Sequence, residues 1–352
     1  MRTPQYVARA GVASYAAQVT TRASVVRNVP ARVGLVGNPS DGYAGAVLAT
    51  VVPGLAATVT AVAADHLSFE GDDASSRWAS MSDWRTNVRD AGHGHDQKII
   101  SAALWTLDDH LRRHQRRQRV GRGVALKWST DIPRSVGLAG SSALAVGVID
   151  TTATLWQVEL DRRVVAALAL RAERDVLGIA AGWQDRIVQS FSCTVLVDSA
   201  QMEVVDGLLV PHVQLPSVAL GVTGSLVVAW ADHVSSPSGD YHAEVRLAGE
   251  ALGAPMSELA GLARQATKAL TNGALAGVAA AMDAGWLIRQ RCAPLRSDHS
   301  ALVEAVRDQG IAATTPGSGG SVVAMCLDES AVAAAVGAVE RAGCTFVRFT
   351  FG

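Results

Sequence analysis

Three short segments rich in glycine and serine, strung in a fixed order along 352 residues, constrain this chain more than any other feature. They are Arg32-Val-Gly-Leu-Val-Gly-Asn-Pro-Ser-Asp-Gly-Tyr43, Pro133-Arg-Ser-Val-Gly-Leu-Ala-Gly-Ser-Ser-Ala143 and Thr315-Pro-Gly-Ser-Gly-Gly-Ser321. In the middle one the glycines run straight into an Ala- and Val-rich stretch of helical character. A flexible loop at a helix N-terminus presents unpaired backbone N–H groups and the positive end of the helix dipole, an anion site suited to nucleotide phosphates. Read alone, the same residues are equally good turn and N-cap chemistry. The segment lacks a Lys after its last glycine, so it is neither GxxxxGK[ST] nor GxGxxG. A nucleotide bound here is bound by another architecture.

A second constellation lies in Ala172-Glu-Arg-Asp-Val-Leu-Gly-Ile-Ala-Ala-Gly-Trp-Gln-Asp-Arg186. Glu173 falls on a helical pattern running from Val164 to Leu177, and Asp185 follows two glycines, Gly178 and Gly182, that can turn the chain back. Phosphoryl transfer needs oxygen ligands for Mg²⁺ and a group that orients or deprotonates the attacking hydroxyl. Two carboxylates and a serine hydroxyl supply that set. The plainer alternative is a surface Glu173 and an Asp185 paired with Arg186 or Arg174. Pro316 to Gly320, between two apolar strands, reads either as a hairpin loop or as backbone brought close to a ligand.

The rest of the chain supplies a frame. Val33–Val36, Ala46–Val52 and Ala56–Ala63 read as strands, 73–90 as a Trp-bearing loop over a groove, and 96–113 as a helix. A strand over Val124–Trp128 precedes the glycine loop, and a helix from Ser142 to Trp156 follows it. Cys193–Asp198 and Val204–Val210 return to strand. A second unit opens at Ser225–Ala231, with helical patterns over 240–253, 255–272 and 276–292. The tail reads helix 299–309, strand 311–314, strand 321–327, helix 329–342 and strand 344–350, helices layered on a sheet.

Composition narrows the class. Hydrophobic residues make up 49% and charged residues 18%, an ordered globular chain long enough for two domains. A net charge of −1 offers no field for nucleic acid or an anionic membrane. The basic run Arg112–Arg117 reads as a solvated helix end. Four cysteines without CxxC spacing favour reduced thiols, and His93-Gly-His95-Asp96 lacks further ligands for a metal centre. With no signal-peptide pattern and no apolar run of ~18 residues, a cytoplasmic protein is expected.

Taken together, the ordered segments resemble the GHMP kinase superfamily (galactokinase, homoserine, mevalonate and phosphomevalonate kinases), and within it the glucuronokinases. Four motifs carry the resemblance: GNPSDGY at Gly37–Tyr43, PRxxGLxGSSA at Pro133–Ala143, AGxQDRxxQ at Ala181–Gln189 and a TGSGG-like turn at Pro316–Gly320. The resemblance implies an α+β fold, with a ribosomal-protein-S5-like, ATP-binding N-terminal domain over 1–215 and a ferredoxin-like α/β domain over 216–352. It implies ATP- and Mg²⁺-dependent transfer of a γ-phosphate to a hydroxyl of a sugar or sugar acid, giving a sugar 1-phosphate. A non-sugar alcohol, or a GHMP-fold protein that binds without transfer, are the alternatives.

The same resemblance implies roles. Pro133, Gly137, Leu138, Ala139, Gly140, Ser141, Ser142 and Ala143 would hold the ATP phosphates, and Ser142 with Glu173 would hold the metal. Asp185 would orient or deprotonate the acceptor hydroxyl. Arg32 would stabilise developing charge and hold Asp185 ionised. Asn38, Asp41, Tyr43, Arg134, Gly317, Ser318 and Gly319 would face the acceptor. A uronate carboxylate calls for an arginine, with Arg134, Arg186, Arg289 and Arg291 as candidates. The partners implied are a small molecule, neither nucleic acid nor membrane, in a monomer or homodimer.

Overall fold

The structure, a computed structural model, describes residues 7–8, 23–71, 74–95, 97–114, 123–218, 223–231, 252–292 and 296–350. Two sheets organise the molecule. The first has seven strands, β2 (Ser24–Val36), β3 (Ala46–Ala64), β4 (Leu67–Glu70), β5 (Ser75–Trp78), β6 (Gly123–Thr130), β7 (Val195–Val205) and β8 (Leu208–Gln214). Strand β3 is its spine. It pairs with β2 along one edge, and with β7 and β6 at opposite ends of the other.

Its sequence explains this use. Over 55–62, β3 alternates, with Leu55, Ala57, Val59 and Ala61 buried and the residues between them half-buried. A period of two puts one face on the helices and the other toward solvent. Two strands were expected where Pro53 and Gly54 interrupt the apolar run. They form one strand instead, because the register jumps from Pro30↔Ala56 to Ala31↔Val52 and residues 53–55 are taken up in a bulge that exposes Gly54 and keeps Leu55 in the core. The bulge lies just before Arg32.

Helices α2 (Lys98–Arg113), α3 (Gly140–Leu155) and α4 (Arg162–Arg171) cover the buried face. Helix α1 (Met81–Ala91) and β5 correct the expected loop over 73–90: Ser80 caps α1 by accepting from Asp83 N at 3.1 Å. Trp84 is fully buried and packs edge-on against Phe69 and Trp105, so it is core and not a groove wall. Arg112 and Arg113 pair with Asp108 and Asp109 one turn back, Asp108 being buried, while residues 115–117 of the basic run lie outside the described residues.

The second sheet runs β1 (Val7–Ala8), β12 (Thr345–Thr350), β9 (Ser225–Trp230), β11 (Ser321–Cys326), β10 (Ala312–Thr314). All six residues of β9 are buried. Val227 and Ala229 meet α8 (Ser297–Arg307) and α9 (Glu329–Arg341) on one face. Leu226, Val228 and Trp230 join the main core with α6 (Gly253–Thr271) and α7 (Leu275–Cys292). A strand buried on both faces needs an unbroken apolar run, and Ser-Leu-Val-Val-Ala-Trp supplies one. The helix expected over 240–253 lies almost wholly outside the described residues. None of the helices described is long and apolar enough to cross a membrane.

Candidate active site

The three glycine segments converge. Gly34 N donates to Pro316 O at 3.0 Å and Arg32 N to Leu138 O at 3.3 Å, so β2 is laced to both other loops by backbone alone. Ser321 Oγ adds a bond to Val136 O at 2.6 Å. The loops touch so closely that only glycine fits: a Cβ on Gly317 would stand 2.5 Å from Gly137 O, and one on Gly137 2.7 Å from Gly319 O.

Arg32 sits at the junction. Buried at the end of β2, it donates from Nε to Asp185 Oδ1 at 2.7 Å, and from one terminal nitrogen to Gly137 O at 3.0 Å and Pro316 O at 2.8 Å. One side chain therefore joins three of the four motifs. Asp185 lies in the first turn of α5 (Gln184–Phe191), a helix that the glycine-broken sequence did not announce, and its side chain keeps 16% exposure. Gln189, one turn further, donates to Ala139 O at 2.8 Å and Pro30 O at 3.3 Å. Ala139 is the left-handed residue from which α3 springs, so α5 braces the loop.

Glu173 is not on a regular helix. It occupies a π-helical turn, Ala172–Val176, that follows α4, and it is 2% exposed. Arg186 grips its Oε2 from Nε at 2.6 Å and from a second nitrogen, and also donates to Gly182 O at 2.8 Å. Burial pushes the Glu173 carboxyl up, against the pull of Arg186 and a hydrogen bond from Ser141. Burial pulls the Arg186 guanidinium down, but Glu173, Asp185 and Asp41 outweigh it and hold it above its ordinary value.

The two serines of the loop part company. Ser141 is exposed and its side chain addresses Glu173, whereas Ser142 is 2% exposed with its hydroxyl 3.5 Å from Ala139 O, the limit of a hydrogen bond. The helix starts at Gly140, so successive residues diverge around its axis and only one can face outward. In this arrangement Ser141 is the loop serine that addresses Glu173 directly, with Ser142 beside it in the first turn of α3. Of the neighbours, Leu138 and Ala143 are buried, and Pro133, Gly137, Ala139 and Gly140 half-buried.

In the first segment Asn38 is buried and donates to Gly317 O at 3.3 Å, and Gln184 Nε2 donates to Asn38 Oδ1 at 3.0 Å. Tyr43 is half-buried against the cluster formed by Leu252, Met256 and Leu259. Arg289 of α7 is buried and donates to Thr315 O at 2.9 Å and Gly317 O at 2.8 Å, fixing the third loop. Arg186 is likewise committed to Glu173, while Arg134 and Arg291 are exposed. Buried Gln184 Oε1, Thr315 Oγ1 and Ser318 Oγ have no hydrogen-bond partner among the described residues. A small cavity lined by Gly34, Asn38, Met282, Arg289 and Thr315 opens beside them.

Elsewhere, His93 bonds Ser101 at 2.9 Å and packs on Trp105, while Asp96 lies outside the described residues. Among the described residues no group of three or more His, Cys, Asp or Glu side chains is placed to hold a metal ion by itself. The four cysteines are unbridged, Cys326 and Cys344 buried and the other two partly so.

A family profile described as GHMP kinases N terminal domain matches residues 98–192, the stretch that carries the phosphate loop, Glu173 and Asp185. The chain carries a GHMP kinase N-terminal domain. It is an ATP-dependent kinase of that type, a phosphotransferase with an alcohol group as acceptor. The chain is similar to "Glucuronokinase 1" of Arabidopsis thaliana, 27% identical over 309 residues, 84% of this chain and 83% of that protein. Its fold is similar to that of a Streptococcus pneumoniae phosphomevalonate kinase, with TM-score 0.76 at 13% identity over 93% of this chain and 99% of the other. It is also similar to a Lactococcus lactis galactokinase complexed with galactose, with TM-score 0.71 at 17% identity over 93% and 92% of the chains.

Proposed function

We propose that this GHMP kinase phosphorylates a sugar or sugar acid, in the manner of a glucuronokinase, at the anomeric hydroxyl. The observation that carries the reading is the Arg32 junction: an acid on α5, the phosphate loop and the third glycine loop are all held by one guanidinium. The acceptor oxygen bonds to the γ-phosphorus as the bond to the bridging oxygen of ATP breaks, and ADP departs with that electron pair. Asp185 orients the hydroxyl and receives its proton, and Arg32 offsets negative charge at the same place. The unpartnered polar atoms of Gln184, Thr315 and Ser318 suit an acceptor rich in hydroxyls.

A magnesium ion fits the donor set. Glu173 and a serine at the start of α3, Ser142 or its neighbour Ser141, would supply one carboxylate and one hydroxyl and leave the ion's remaining positions to phosphates and water. Bound there, it would neutralise phosphate charge. The residues of 1–215 form the nucleotide half of this reading and those of 216–352 the half that supplies Gly317–Gly319 and Arg289.

The test is ADP release with D-glucuronate, D-galactose and mevalonate as acceptors, with the product identified by ³¹P NMR. An anomeric phosphate ester from D-glucuronate is the expected product. Turnover on mevalonate alone would replace the sugar with a non-sugar alcohol.

A further inference from the structure

Helix α5 carries Asp185 but has no cap of its own. The residue before it, Trp183, offers no side-chain oxygen, so its first N–H groups need an acceptor from elsewhere. Asp41 provides it. Its Oδ2 accepts from Trp183 N at 2.5 Å and from Gln184 N at 2.9 Å, across 142 and 143 positions of sequence. The carboxylate is 4% exposed.

Both sides of this contact are built for it. Ser199 Oγ, on β7, donates to Asp41 O and Gly45 O, each at 2.9 Å, and holds the turn that presents the carboxylate. The Asn38–Gln184 bond ties the same two segments a second time. Any side chain at Gly182 would run into the Asp41 carboxylate, so the glycine of the AGxQDR segment is the clearance that lets Asp41 reach the helix.

We propose that Asp41 is a positioning residue for Asp185, capping α5 from the first motif so that the acid is held against Arg32 at the phosphate loop. The proposal rests on the reading of Asp185 as the phosphotransfer acid. It moves Asp41 from an acceptor contact to a support of the acid. An N-terminal cap also places negative charge at the positive end of the helix, which favours the same geometry.

The experiment measures kcat, and KM for ATP and D-glucuronate, in the full chain and in Asp41→Ala, Asp41→Asn and Asp185→Asn. Backbone hydrogen exchange over residues 182–189 is followed in each. Asparagine caps helices as well as aspartate does. Asp41→Ala is therefore expected to lower kcat by roughly tenfold to a hundredfold, with KM for D-glucuronate moving less than about threefold, as displacement of a catalytic group does. Exchange over 182–189 should rise. Asp41→Asn should restore most of the lost kcat and the protection.

A tenfold or larger rise in KM for D-glucuronate in both Asp41 variants, with kcat kept, would overturn the proposal in favour of direct acceptor contact. Unchanged exchange in Asp41→Ala would overturn it as well. If Asp41→Ala does not fold, Asp41→Asn decides: exchange raised to the level of an uncapped helix start refutes the cap. Full activity in Asp185→Asn removes the catalytic reading of Asp185, while the exchange data still report on the cap, so the two failures are told apart.

Discussion

Gln189 Nε2 donates to Ala139 O at 2.8 Å, so the last polar residue of the AGxQDRxxQ segment holds the residue from which the phosphate-loop helix starts. Helix α5 and the glycine loop over Pro133–Ala143 are one mechanical unit. Replacing Gln189 with Leu removes both bonds, at about 0.5–1.5 kcal/mol each, while Ala139 O keeps its bond from Ala143 N. KM for ATP is expected to rise more than kcat falls, read from initial rates at varied ATP.

Asp185→Asn is expected to lower kcat by about 10²–10⁴-fold, the range for loss of a general base. ATP affinity, measured by calorimetry, should change little, because the Asp185 carboxylate is bonded to Arg32 and not to the loop's N–H groups. An active variant would place the proton's destination elsewhere.

Arg186 and Glu173 form an ion pair with both partners buried. Removing one partner strands the other's charge, so Arg186→Met should cost about 3–5 kcal/mol in urea unfolding. The double variant Glu173→Gln/Arg186→Met should recover part of that loss, and the difference from additivity measures the coupling.

Stability should depend on Asp41 through pH. Burial, the largest cause, raises its carboxyl from the ordinary 3.8 to about 6, opposed by the backbone bond from Gln184. A folded-state value above the unfolded one means that the folded chain binds the extra proton between about pH 4 and pH 6. Its contribution is therefore present at the acid end and lost as pH rises through about 6, by roughly 3 kcal/mol at most. Denaturation at pH 4.5 and 7.5 should show this difference in the native chain and lose it in Asp41→Asn.

Much of this was readable from residue types and order. Strands such as β9 and β11 and helices such as α3 and α9 follow apolar runs and periodicity, because those elements are held by burial alone. Elements that depend on partners far along the chain escaped. Helix α5 is eight residues with glycines just ahead of it, too short to show a period, and its cap comes from Asp41. The single long β3 escaped because Pro53 and Gly54 look like a break when the bulge across from Pro30 is out of sight. Spacing offered Glu173 and Asp185 and the family resemblance added Arg32, but neither had the means to show which serine turns toward Glu173, since that depends on the residue at which α3 begins.

The bond from Arg32 to Pro316 O spans 284 positions. Contacts of such separation form only after the intervening chain has been closed into a loop, at an entropic cost that grows with its length. On the ribosome, strands β2 to β8 emerge and can pair long before Pro316 is made. The nascent N-terminal half would then hold Arg32 and Asp185 without the carbonyl that steadies them, and catalytic competence becomes a late event in the life of each molecule.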